Sequence, residues 1–226
     1  MARKRFGPRR RGLHSVAVIG LGRFGRALAV ELAEQGTEVL GIDLDEEIVQ
    51  SLNGVLTHVV RADSTREQTL DQLDIDSFDR VVIAIGTDIQ ASILTASQLV
   101  RRGRAEIWAK AISEQHGLIL EQLGIGHVVY PEADMGRRVA HLVQGSMIDF
   151  VSLDDDLVVA VTTAPDPATR LPLVDVHLPE RFHVRVIAVK REGHWVPVDD
   201  QSVLREGETI AVLGSVHHTE RFCSLR

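Results

Sequence analysis

The stretch Val16–Asp43, VAVIGLGRFGRALAVELAEQGTEVLGID, decides the fold. It opens with the apolar run VAVI, passes three glycines (Gly20, Gly22 and Gly25), continues as an amphipathic segment and closes on a second apolar run ending at Asp43. That order reads as strand, tight turn, helix and second strand. Each glycine meets a separate demand: a sharp turn at Gly20, close approach of a phosphate to the backbone at Gly22, and close packing of helix on sheet at Gly25. The free N–H groups and positive dipole end of the helix face the same loop. Leu28, Leu32 and Ala33 share one helical face, and Gly36 stands where the helix should end.

Working outward, apolar runs rich in Val and Ile predict strands near Ser15–Ile19, Glu38–Ile42, Thr57–Val60, Arg80–Ile85, Glu106–Lys110 and His127–Tyr130, with helices between them. A run such as RVVIAIG is apolar on both faces, which a strand tolerates when helices cover both sides of its sheet. One helix is predicted to start after Asp88, a good N-cap, and to stop at Gly103. After Gly145 the pattern changes. MIDFVSLDDDLVVAVTTA, VRVIAVKREGHWVPV and TIAVLGS read as strands, and the loop APDPATRLP holds three of the seven prolines. The fold class is therefore α/β, a Rossmann-like doubly wound parallel sheet with a second, smaller β-rich α+β domain. The expected divisions are a basic tail at residues 1–12, a first domain at 13–146 and a second at 147–226.

Composition narrows the function classes. The chain has 226 residues, 44% hydrophobic, and a formal charge of −7, against the broad basic surface of a general nucleic-acid binder. The tail, MARKRFGPRRRG, reads as a flexible segment, either simply solvated or suited to anionic lipid headgroups. It has no apolar core of a signal peptide, and no apolar run reaches the length of a membrane-spanning helix. Cys223 is the sole cysteine, which excludes an intrachain disulfide. A cytoplasmic protein is the expectation.

Asp43 can accept both hydroxyls of an adenosine ribose and repel a 2′-phosphate, or alternatively cap the helix that follows. Arg23, inside the glycine loop, can pair with phosphate oxygens. Asp63, Thr87 and Lys110 fall at or just beyond the C-terminal ends of successive strands, the edge where open α/β sheets bind ligands. The second domain offers no Ser/His/Asp or Cys/His arrangement. His177, His183, His194 and the pair His217–His218 follow no metal-ligand spacing and read as surface or half-buried structural residues, and Asp154–Asp156 read as a solvated turn. The chain leans toward a binding module rather than an enzyme.

Four motifs, AVIGLGRFG, DIQASIL after the fourth strand, WAKA at the fifth and PEADMG after the sixth, resemble the cytosolic regulatory subunits of Ktr and Trk potassium-uptake systems, built from an RCK N-domain and an RCK C-domain. The resemblance implies binding of ATP, ADP or NAD(H) by Gly20, Gly22, Arg23, Phe24, Gly25, Asp43, Leu44, Asp45, Asp63, Ser64, Ile85, Gly86, Thr87, Lys110, Ala111, Ile112, His116 and Glu132. It also implies that Glu132 helps hold a divalent cation such as Mg²⁺ at a subunit interface. Dimers assembling into an octameric ring, on the inner face of the membrane beneath a KtrB/TrkH-like potassium-translocating subunit, are a further implication. In the C-domain it points to cyclic di-AMP contacts from Leu173, Val174, Asp175, Val186, Ile187, Arg191 and Pro197, while His177, Arg185 and Val196 depart from the pattern. The competing readings are a small NAD-dependent oxidoreductase and a regulator using the basic tail on DNA.

Overall fold

The computed structural model describes residues 15–103, 106–144, 147–154 and 156–225. The basic tail at residues 1–12, Gly145 at the expected domain junction and Asp155 of the acidic turn lie outside the described residues. The chain divides into two compact units, one ending at Glu132 and one beginning at Ala133.

The first unit alternates strand and helix: β1 (Ser15–Ile19), α1 (Arg23–Glu34), β2 (Glu38–Asp43), α2 (Glu46–Ser51), β3 (His58–Arg61), α3 (Glu67–Gln72), β4 (Arg80–Ile83), α4 (Ile89–Arg102), β5 (Glu106–Lys110), α5 (Glu114–Gln122) and β6 (His127–Val129). All pairings are parallel, in the order β3-β2-β1-β4-β5-β6. The order reverses between β1 and β4, which opens a crevice at their C-terminal ends.

The apolar runs are continuous because alternate residues feed different cores. Ala17 and Ile19 pack with Leu40, Ile42, Val81 and Ile83 on one face. Val16 and Val18 pack with Val39, Leu52 and Ala29 on the other. Fully burying side chains of this size stabilises by roughly 1.5–3 kcal/mol each. The helix signals act as read: Asp88 Oδ1 accepts from the Ala91 N–H at 2.9 Å, and Gly103 closes α4 at φ 67°. β4 ends at Ile83, two residues before the expected end at Ile85, since the chain curves there over Gly20. A Cβ on Gly20 would stand 2.9 Å from the Ala84 carbonyl carbon and the Ile85 nitrogen.

The second unit is antiparallel. After α6 (Pro131–Gln144) come β7 (Met147–Ser152), β8 (Leu157–Thr163), α7 (Leu173–Val176), α8 (Leu178–Phe182), β9 (Val184–Arg191), β10 (His194–Pro197), β11 (Thr209–Ser215) and α9 (Val216–Cys223). The sheet order is β10-β9-β11-β8-β7 around a core including Val184, Val186, Ile210, Val212 and Phe222. From Ala133 onward α6 groups with this unit, whereas the sequence reading carried the first domain to residue 146. The reason lies in its contacts. Arg138 pairs with Asp149 at 2.6 Å, His141 Nδ1 meets Glu220 Oε1 at 2.7 Å, and Leu142 packs on Met147, Ala160 and Cys223. Met135, Val139 and Val143, four residues apart on α6, are 53%, 46% and 80% exposed. Among the described residues no helix is long and apolar enough to cross a membrane.

Candidate functional site

The glycine loop between β1 and α1 is tied down from both sides. Gly20 N–H donates to the Ile42 carbonyl at 2.8 Å, and Gly20 adopts φ 92°, a left-handed value that glycine takes freely. A Cβ on Gly25 would collide with the Gly20 carbonyl oxygen, so helix and loop close only with glycine there. Gly22 differs: a Cβ would meet nothing within 4 Å. It is the N-cap of α1, and no side chain caps this helix. The first-turn N–H groups of α1 therefore remain for an anionic ligand in the open space above Gly22.

Asp43 does more than the sequence suggested. Its Oδ2 accepts from the Leu21 N–H at 2.6 Å and its Oδ1 from the Asp45 N–H at 2.9 Å. One carboxylate thus clamps the glycine loop to the β2–α2 turn, while each oxygen retains a lone pair for a ribose hydroxyl. The helix cap is Asp45, whose Oδ1 accepts from the Glu47 and Ile48 N–H groups. Leu44 beside it is 60% exposed.

Farther along the edge, Asp63 is engaged locally. Its carboxylate takes hydrogen bonds from the Thr65 hydroxyl at 2.6 Å and from Arg66, and the Thr65 bond foremost holds its pKa below the ordinary aspartate value. The Ser64 hydroxyl is turned into the protein, 3.0 Å from the Thr95 hydroxyl. That contact ties the end of β3 to α4, and the hydroxyl oxygen keeps a further lone pair.

A buried cation lies at the end of β5. Lys110 is almost wholly buried and donates from Nζ to Glu132 Oε1 at 2.6 Å, with its ammonium 5.8 Å from the Phe24 ring centre. Gly86 lies against this lysine, since a Cβ there would be 3.1 Å from Nζ. The Lys110 hydrogen bond, with a smaller contribution from the charge of Arg23, pushes the Glu132 pKa down. Arg23 itself is exposed. Ala111 N–H donates to the Val129 carbonyl, and Ile112 N–H to His116 Nδ1 at 3.4 Å. His116 is 2% exposed, its Nε2 has no partner, and burial lowers its pKa, favouring the neutral ring. Ile85 and Thr87 continue the same edge between β4 and the Asp88 cap of α4.

The loop, Asp43, Lys110 and Glu132 are all brought to the C-terminal edge of the parallel sheet. Spacing alone did not reveal the Lys110–Glu132 pair or the Asp43 clamp. A motif locates residues at an edge without saying which of them touch.

In the second unit, a cleft of about 240 Å³ is lined by Leu173, Leu178, Pro179, Val186, Ile187 and Val198 together with the charged Arg185, Asp199 and Asp200. Leu173, Val186 and Ile187 were expected there. Val174 donates its N–H to the Asp200 carbonyl. Asp175 and Pro197 stand outside the wall. Arg191 pairs with Glu208 at 2.8 Å and donates to the Val203 carbonyl at 3.1 Å.

A parallel sheet with a glycine phosphate loop, joined to a small antiparallel unit, defines a nucleotide-binding Rossmann module with an appended C-terminal domain. Residues 16–131 match the TrkA-N domain and residues 157–226 the TrkA-C domain. The chain belongs to the TrkA-N/TrkA-C family, that of the Ktr potassium-uptake proteins. It is 36% identical over 209 residues to Ktr system potassium uptake protein C of Bacillus subtilis, covering 91% of this chain and 94% of that one. It is 34% identical over 200 residues to Ktr system potassium uptake protein A of Vibrio alginolyticus, covering 88% and 91%. The crystal structure of the GsuK RCK domain shares the fold, with a TM-score of 0.65 at 14% identity over 97% of this chain and 50% of that chain. A GsuK structure bound to ADP is 26% identical, with a TM-score of 0.51 over 58% of this chain and 34% of that chain.

Proposed function

We propose that this chain is a regulatory subunit that binds adenine nucleotide in its first unit and passes the nucleotide state to a membrane potassium-translocating subunit, without catalysing a reaction. The observation that carries this reading is the uncapped glycine loop braced by Asp43, with Arg23 projecting from the same turn. The names of its relatives, Ktr system potassium uptake proteins, and the nucleotide named in the GsuK structure support the biological direction.

The residues divide the work. The α1 N–H groups hold phosphate, and Asp43 takes the ribose and disfavours a 2′-phosphate. Arg23 is exposed and can reach an outer phosphate, so ATP and ADP bind two conformations unequally; a ligand of equal affinity for both shifts nothing. Lys110 neutralises either Glu132 or phosphate. A Mg²⁺ ion carried by Glu132 would draw its remaining ligands from phosphate and water and would displace Lys110. The exposed Met135–Val139–Val143 stripe suits a second copy of the chain in a homo-oligomer, dimer or octameric ring. The second-unit cleft, apolar with three charged residues among its lining, supports cyclic di-AMP as its ligand.

Equilibrium binding of ATP, ADP and NADH to the purified chain tests the reading. Saturable binding, lost in Arg23→Ala and Asp43→Ala, is expected, with no consumption of NADH when candidate substrates are added. Absence of binding, or NADH turnover, overturns it.

A further inference from the structure

Imidazoles gather where α8 runs into β9 and β11 runs into α9. The His183 and His218 ring centres are 4.8 Å apart, and the His217 ring is 5.6 Å from that of His218. Two features of the chain create this approach. His183 ends α8 at φ 56° and ψ 34°, a left-handed conformation that costs a non-glycine residue about 1 kcal/mol or more. Gly214, at the end of β11, lets the strands close: a Cβ there would stand 3.2 Å from the His183 carbonyl oxygen and 3.2 Å from Thr219 Cγ2.

The His218 ring is also oriented. Its Nδ1 lies 2.7 Å from the hydroxyl of Ser215, the residue that caps α9. With the proton on Nδ1 and donated to that hydroxyl, Nε2 keeps its lone pair, the arrangement that prepares a histidine for metal. Two imidazoles bound at about 2.0–2.1 Å to one tetrahedral ion place their ring centres about 5 Å apart. The observed His183–His218 spacing of 4.8 Å fits.

Among the described residues no three His, Cys, Asp or Glu side chains converge on a single ion. An ion held here would have two histidine ligands, with water completing the set. Imidazole nitrogen selects late first-row divalent ions over Mg²⁺ and Ca²⁺, which take oxygen. We propose that His183 and His218 form a binding site for a divalent transition-metal ion, of the Zn²⁺, Ni²⁺ and Cu²⁺ class, in the second unit. The site is independent of the nucleotide reading. Its occupation fixes the junction of α8 and β9, and Leu178, Pro179, Val186 and Ile187 on those two elements wall the neighbouring cleft.

Titration calorimetry of the untagged full chain with NiCl₂ and ZnSO₄ at neutral pH, with MgCl₂ as control, tests the site. A single transition ion should bind per chain and Mg²⁺ should not. His183→Asn, which keeps a residue type tolerant of the left-handed conformation, and His218→Ala should each weaken binding by roughly tenfold or more. His194→Ala, on the exposed β10 strand, should bind as the parent does. Circular dichroism checks that each variant is folded. No saturable binding by the parent, or parental affinity in the His183→Asn/His218→Ala double variant with its fold intact, overturns the proposal.

Discussion

The two units make their clefts from opposite materials. In the first, the site is mostly backbone: N–H groups at an uncapped helix start, exposed by glycines and braced by one carboxylate. In the second, the cleft is made of side chains, apolar ones from α7, α8 and β9 with three charged residues among them. At a backbone site, substitution costs stability where the chain packs and affinity where the ligand sits. At a side-chain site one substitution costs both.

The sharpest break in that contrast comes from two neighbouring glycines. Gly25→Ala drives a methyl group into the Gly20 carbonyl, and should destabilise the first unit by about 3 kcal/mol, read from the denaturant midpoint. Gly22→Ala meets open space. It should cost less than about 1 kcal/mol of stability, yet lower adenine-nucleotide affinity by roughly tenfold to a hundredfold by crowding the phosphate. Equal effects of the two substitutions on stability would dissolve the distinction between packing and ligand glycines.

Asp43→Asn leaves one acceptor oxygen for two N–H groups, and about 1–2 kcal/mol of stability should be lost together with ribose affinity. In the second unit, Ile187→Ala trims a half-buried wall residue. A loss near 1 kcal/mol is expected, with weakened cyclic di-AMP binding and unchanged ATP affinity. The smallest effect belongs to Glu132→Gln, which keeps an acceptor for Lys110 and removes the charge. Folding lowers the Glu132 pKa beneath the ordinary 4.5. The ion pair's stabilisation is therefore complete above that value and fades as pH falls through the lowered one. Glu132 is 61% exposed, so screening limits the term to a few tenths of a kcal/mol. Parent and variant stability curves should differ near neutrality and converge in acid.

The same division explains what could be read in advance. Strand positions, the Gly20 turn, the Gly25 packing, the Asp88 cap and the Gly103 stop were legible because each is enforced by local geometry or by two-faced burial. The clamp from Asp43 to Leu21 and the Lys110–Glu132 pair were not, since each joins residues about twenty apart through tertiary approach. The partners of Ser64 and Arg191 were hidden for a related reason. A residue's place at a site edge does not fix its rotamer, and Thr95 and Glu208 captured their polar atoms. The allegiance of α6 was hidden too, because its sequence does not say that Asp149 and Glu220 hold Arg138 and His141.

The clamp has a consequence for redesign. Exchanging the acidic residue after the second strand is the natural route to acceptance of a 2′-phosphorylated dinucleotide. Here that residue also holds the Leu21 amide at 2.6 Å, so any exchange made there for the ribose also releases the phosphate loop. A cofactor switch at Asp43 would need a second substitution to restore the lost acceptor before the new preference could appear.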